Sequence, residues 1–142
     1  MPDLRNQQGT FTPPSQLDEF QVERPLGRGA NGQVYLAKDT VLERPVALKF
    51  LSGRKLSRHA RRRFLVEARA IARLKHPNVV TVYRFGETMG RPYLVSEYVS
   101  GQSLARMIKP IAWQRALEIG TELARGLAAA HQQGVLHRVL FP

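Results

Sequence analysis

Several residues in this chain have the types and spacing to handle a phosphate. Residues 26–34 read LGRGANGQV, placing Gly27, Gly29 and Gly32 in a G-x-G-x-x-G-x-V pattern. Glycines let a backbone approach phosphate oxygens closely and offer them its N–H groups. A dinucleotide-binding version of this spacing opens a helix and carries an acid about twenty residues on. Here strand-patterned GQVYLA follows, which suits a loop between two antiparallel strands; a plain glycine hairpin is the simpler alternative. Next comes Lys49, at the end of Val46-Ala47-Leu48-Lys49. On a strand it shares a face with Ala47 and Leu51, which points its ammonium toward the covered side. A buried lysine without a partner is expensive, so it calls for phosphate, carboxylate or both. Glu67 can supply the carboxylate from a helix whose Ile71, four residues on, shares its face. Each of these is unremarkable by itself, but together they point to anion handling.

The elements that must position them follow from hydrophobic period. FQVERPLG, GQVYLAKD and VLERPVALKFL alternate as strands, with Pro45 near the start of the third, where a missing N–H is tolerable. In residues 61–75 the period lengthens, and Phe64, Ala68, Ile71 and Leu74 mark one helix face. His76-Pro77-Asn78 ends that helix. VVTVYRFGE and RPYLVSEYV predict a hairpin joined through Thr88-Met89-Gly90, SLARMI predicts a short helix, and residues 113–134 a long one stopped by Gly134. Leu117, Gly120, Ala124, Leu127 and His131 define the long helix's apolar face. The class is α+β with an antiparallel sheet.

With 142 residues there is room for one compact domain. The absence of cysteine excludes disulfides, thiolate metal sites and thiol nucleophiles. No apolar run reaches the roughly eighteen residues that span a bilayer, and residues 1–16 lack a secretory apolar run, so the expectation is a cytoplasmic protein. The formal charge of +11 invites a nucleic-acid reading. Much of it sits in RKLSRHARRRF, residues 54–64, which reads first as a solvated helix face. No aromatic platform or zinc spacing supports base readout, so nucleic acid is not the favoured partner.

The ordered series Gly27-x-Gly29-x-x-Gly32-x-Val34, VALK ending at Lys49, Glu67, HPNVV, YLVSEYVSG and finally His137-Arg138 resembles the eukaryotic-like Ser/Thr protein kinase family found in bacteria. The resemblance covers about residues 20–142. It implies a kinase-like N-lobe, a five-stranded antiparallel sheet plus one helix, followed by two C-lobe-type helices of an incomplete C-lobe. The implied organisation is a flexible tail over 1–17, the N-lobe over 18–100, and over 101–142 a partial C-lobe reaching the start of the catalytic loop. ATP is the implied cofactor. Its phosphates fall to the loop Gly27, Arg28, Gly29, Ala30, Asn31, Gly32, Gln33 and Val34, and to Lys49 paired with Glu67. Leu26, Val34 and Ala47 would line an adenine slot, Ser96 would be the gatekeeper, and backbone groups of Glu97 and Val99 would hydrogen-bond adenine.

The same resemblance exposes a departure. Where the family reads H-R-D-L-x-P, this chain reads VLHRVLFP, with His137, Arg138, Leu140 and Pro142 matching and Val139 at the position of the catalytic Asp. Valine has no lone pair to take a proton, and losing a general base removes about two to four powers of ten in rate. The family's metal-holding Asn and Asp would come after Pro142, so the expectation is a truncated chain that holds no Mg²⁺ alone, with no metal ligands assigned. The leading expectation is therefore a kinase-family chain that binds ATP weakly and does not transfer phosphate. The alternative is a non-catalytic interaction module that binds a kinase or an acidic partner through its basic segment and exposed long helix. A protein partner or self-association covering that helix is expected.

Overall fold

The computed structural model describes residues 11–29, 32–51, 57–107 and 109–135. They form β1 (Gln16–Leu17), β2 (Phe20–Gly29), β3 (Gly32–Asp39), β4 (Arg44–Leu51), α1 (Arg58–Ala72), β5 (Val82–Thr88), β6 (Arg91–Glu97), one 3-10 turn (Leu104–Arg106) and α2 (Trp113–Gln132). The antiparallel sheet runs β1-β2-β3-β4-β6-β5. Two expectations need correction. The sheet has six strands rather than five, because Gln16 and Leu17, read as tail, pair with Gln21 and Phe20. The SLARMI segment makes only a single 3-10 turn, so α1 and α2 are the two helices among the described residues.

Strand alternation sorts the sheet into two faces. Ala37, Val46, Leu48, Phe50, Tyr93 and Val95 point into one core with Leu17 and Phe20, all buried. Phe11 packs its ring 5.1 Å from that of Phe50, which explains why the chain is already engaged before β1. Tight connections come from residues that accept left-handed backbone. Met89 and Gly90 have φ of 52° and 71° between the paired Thr88 and Arg91, the two-residue hairpin geometry that matches strand twist. At the β3–β4 turn, the buried Asp39 carboxylate accepts hydrogen bonds from the N–H groups of Val41 and Leu42, at 3.1 and 2.9 Å.

The first and last strands of the sheet order are nevertheless close in space. Arg84 of β5 donates to both oxygens of Glu19, at 2.7 and 2.8 Å, and to Asp18 Oδ2 at 2.9 Å, in the turn between β1 and β2. Tyr93 donates its hydroxyl to the same Asp18 oxygen at 3.0 Å. This polar latch joins the two ends of the order, so the sheet is curled. Gly86 makes room for it: a Cβ there would overlap the Tyr93 ring.

Burial first, then the hydrogen bond to Asp18, pushes the Tyr93 phenol up to about 12. The unfolded phenol ionises near 10, so its protonated form favours the fold below that pH. That contribution is lost as pH rises from about 10 to 12, on the order of 2 kcal/mol. Alkaline melts of the protein should fall more steeply across this window than melts of Tyr93→Phe. Parallel curves would remove the latch from the explanation.

Helix α1 begins three residues earlier than the period predicts, with the Ser57 carbonyl accepting the Arg61 N–H at 2.9 Å. Ala68 and Leu74 are buried as expected, and Ile71 is partly so. Helix α2 ends as expected: Gly134, at φ 72°, donates to the His131 carbonyl, and Val135 donates to Ala130, both at 2.9 Å. The apolar face named from the sequence is left largely exposed, as expected, and the packed contact comes from residues beside it. Gly126 and Ala130 are buried, whereas Leu117 is 62% exposed, and Gly120, Ala124 and His131 are exposed too. The reason is close approach. Gly126 sits against the loop after α1, where a Cβ would lie 2.7 Å from the Asn78 carbonyl oxygen, so the smallest side chains make the contact.

Candidate functional site

Cross-strand register assembles the expected residues on one sheet face, opposite the core. Residues paired directly across antiparallel strands lie on the same face, with Cβ atoms about 5 Å apart. Gly27 pairs with Val34, Val34 with Lys49, and Lys49 with Leu94. The next row is Leu36, Ala47 and Ser96. A glycine, three branched apolar side chains, an alanine, a lysine and a serine thus share one surface, while Leu48 and Phe50 face the core.

The β2–β3 hairpin carries the glycines. Leu26, Gly27, Arg28 and Gly29 lie in β2, and Gly32, Gln33 and Val34 in β3; Ala30 and Asn31 lie outside the described residues. Leu26 falls where the register shifts between Pro25 and Gly27, and it is partly buried. The three glycines are not equivalent. Gly32 adopts φ 136°, and a Cβ on it would run into the Phe50 carbonyl, so the fold itself demands glycine. Gly27 and Gly29 have no such conformation, and a Cβ on either would meet nothing within 4 Å. The sequence spacing alone does not separate these roles.

Lys49 is half-buried rather than enclosed, which corrects the premise that its ammonium is sealed under the sheet. A half-solvated ammonium is tolerable without a partner but remains available to an anion on that face. Glu67 falls within the α1 span; its side chain lies outside the described residues, and so does its pairing with Lys49.

At the end of β6 the chain is clamped to the segment before β5. The Glu97 N–H donates to the Thr81 carbonyl at 2.9 Å, and the Thr81 N–H donates to Glu97 Oε2 at 3.3 Å. Ser96 donates its hydroxyl to the Glu97 carbonyl in a long 3.4 Å contact. Val99 follows in irregular chain and is 63% exposed. The turn after α1 is set by His76, whose Nδ1 accepts the Asn78 N–H at 3.1 Å and whose carbonyl accepts the Val79 N–H at 3.1 Å. Sequence reasoning missed Gly126, which docks α2 on this turn; its only signal was a small residue four before Ala130 on a helix. His137, Arg138, Val139, Leu140, Phe141 and Pro142 lie outside the described residues. Among the described residues no three His, Asp or Glu side chains are grouped to hold a metal ion, and no helix is long and apolar enough to cross a membrane.

Comparison with known proteins gives a consistent picture. The model of the protein kinase domain matches residues 20–141. Serine/threonine-protein kinase pkn2 of Myxococcus xanthus is 42% identical over 129 residues, which are 87% of this chain and 15% of that protein. Serine/threonine-protein kinase PknE of Mycobacterium tuberculosis is 39% identical over 132 residues, 90% of this chain and 23% of that protein. Among solved structures, the PknI kinase domain of Mycobacterium tuberculosis aligns with a TM-score of 0.75 at 34% identity, covering 89% of this chain and 54% of that domain. The chain therefore spans about half of the solved domain and under a quarter of these two curated relatives.

Proposed function

Because the chain belongs to the bacterial Ser/Thr protein kinase domain family, matched over residues 20–141, we propose that its Gly27–Lys49 sheet face binds ATP and that phosphoryl transfer is impaired. The observation that carries nucleotide binding is the contrast among the glycines. Among the described residues nothing requires Gly27 or Gly29 to lack a side chain, and a ligand that approaches the backbone best accounts for their bareness. The ammonium beneath them, on Lys49, would meet the α- and β-phosphates. Leu26, Val34 and Ala47 would cover the flat faces of adenine, and Ser96 would leave room behind it. The Glu97 N–H is already engaged by Thr81, which leaves its carbonyl and the Val99 backbone for the adenine edge. Glu67 is assigned as the Lys49 partner by the family pattern. ATP, when bound, would supply the transferable phosphoryl group. No Mg²⁺ ligand is assigned among the described residues, so binding through backbone amides and Lys49 should be weak and nearly independent of the metal.

Thermal shift tests this reading. ATP at about 100 times its dissociation constant stabilises a protein by about 2.7 kcal/mol, equivalent to several degrees for a domain of this size. The expected result is a rise in melting temperature with millimolar ATP, the same in Mg²⁺ and in chelator, and its loss in Lys49→Ala. No response to ATP, or an unchanged response in Lys49→Ala, would remove the proposal.

A second reading, an interaction surface along α2, is favoured by one observation. Trp113, Leu117 and Leu123 are 71%, 62% and 50% exposed along this helix, more apolar surface than water tolerates cheaply.

A further inference from the structure

Helix α1 turns its buried side to the sheet and leaves an unusual surface outside. Arg58, Arg62, Arg69 and, one residue past the helix, Arg73 are all exposed. Their spacing of i, i+4, i+11 and i+15 places them on one stripe of a helix, about 22 Å long. Leu65 and Val66 fill the middle at i+7 and i+8, with Val66 60% exposed. The order is thus two arginines, two apolar residues and two arginines, and it reads the same in either direction. None of these four arginines forms an ion pair among the described residues, although Arg61 beside them holds Glu87 at 2.8 Å. The basic run in the sequence, residues 54–64, ends before half of this stripe; only the helical period adds Arg69 and Arg73.

We propose that the outer stripe of α1 docks an acidic amphipathic helix of another protein, its carboxylates meeting the four arginines and its apolar residues covering Leu65 and Val66. Charge excludes a second copy as the occupant. The chain has 22 basic and 11 acidic residues, and Asp18, Glu19, Asp39, Glu87 and Glu118 are already in ion pairs. Every cation on the stripe is arginine, whose planar fork engages carboxylates in pairs. An exposed valine and a leucine at the centre suit a protein interface, with its apolar middle and charged rim, better than a run of phosphates. No aromatic side chain stands on the stripe to stack a base. A membrane surface would want the apolar side of the helix, but Ala68 on that side is buried against the rest of the fold. This surface is independent of the ATP site, so either assignment can fail without the other.

The test is fluorescence anisotropy of the full chain with a labelled, capped helical peptide. The peptide carries glutamates at i, i+4, i+11 and i+15 and leucines at i+7 and i+8; a scrambled peptide of the same composition is the control. At about 0.15 M salt, where exposed charges farther apart than about 8 Å are screened, the matched peptide should bind about tenfold tighter than the scrambled one. Arg62→Gln/Arg69→Gln should abolish that difference, and Val66→Ala should reduce it several-fold while leaving charge unchanged. Far-UV circular dichroism and the cooperativity of denaturant melts confirm that the variants are folded; Arg58→Gln/Arg73→Gln replaces any variant that is not. Equal binding of both peptides would overturn the proposal. So would insensitivity to Val66→Ala, or tighter binding to duplex DNA or to vesicles with about 30% phosphatidylserine.

Discussion

Gly32→Ala should lower stability by about 3 kcal/mol or more, whereas Gly27→Ala and Gly29→Ala should change it by less than about 1 kcal/mol. All three residues belong to one glycine motif, so the sequence offers no reason for them to differ. At Gly32 two costs add. An L-residue at φ 136° is strained, and its Cβ would occupy the place of the Phe50 carbonyl, backbone that cannot swing aside. Relief would require breaking the pairing of Gly32 with Leu51 and shifting β3 on β4. Gly27 and Gly29 have ordinary strand conformation and open space. Among the described residues a methyl there meets nothing, so it would interfere with a ligand that approaches the backbone. Denaturant melts should therefore show one crippled variant and two near-normal ones. If the ATP proposal is right, the two near-normal variants should lose most of the ATP-induced thermal shift. Three equally stable variants would contradict the geometry at Gly32. A retained ATP shift in Gly27→Ala and Gly29→Ala would instead count against the ATP site alone.

The second large effect concerns turnover. The purified 142-residue chain should transfer radiolabelled phosphate from ATP to a general protein substrate at no more than about one hundredth to one ten-thousandth of a related kinase domain's rate. In the family segment that His137 and Arg138 match, an aspartate accepts the substrate hydroxyl's proton. Val139 stands there, with neither charge nor lone pair. This is a loss of about 3 to 5.5 kcal/mol in the transition state, and it acts on the chemical step rather than on nucleotide affinity. The ATP shift should therefore survive while transfer stays at background. Transfer within tenfold of the related domain would show that another group takes the proton, and would end the case for impaired catalysis.

Much of the fold was legible because its signals are local. A change of apolar period from two to about 3.6 marks where strand gives way to helix, and it placed α1 to within three residues. Met89-Gly90 and Gly134 carry the left-handed backbone that their turn and cap require. The candidate site was legible as a set of residue types in order. Its shared face follows from alternation once the register of β2, β3, β4 and β6 is known.

What resisted reading was long-range. Gln16 and Leu17 look like tail because two residues have no period; they become a strand only when Phe20 and Gln21 lie beside them. Arg84 and Asp18 are joined across 66 positions of sequence, and no local pattern announces that a sheet will curl until they touch. The packed contact of α2 was out of reach because helical period does not say which small residues another loop will cross, and it is the crossing at Asn78 that selects Gly126 and Ala130. The half-burial of Lys49 was likewise out of reach, since exposure depends on what neighbouring elements cover.

The sequence by itself determined the family, the order of its longer strands and helices and the identity of the groups on offer, including the valine at position 139, because residue type and near-neighbour spacing are properties of the chain alone. Tertiary structure decided which glycine the fold cannot do without, which helix surface stays in water and that the arginine stripe of α1 faces outward. Those outcomes depend on excluded volume and on distances between residues far apart in the chain, and such distances exist only after folding.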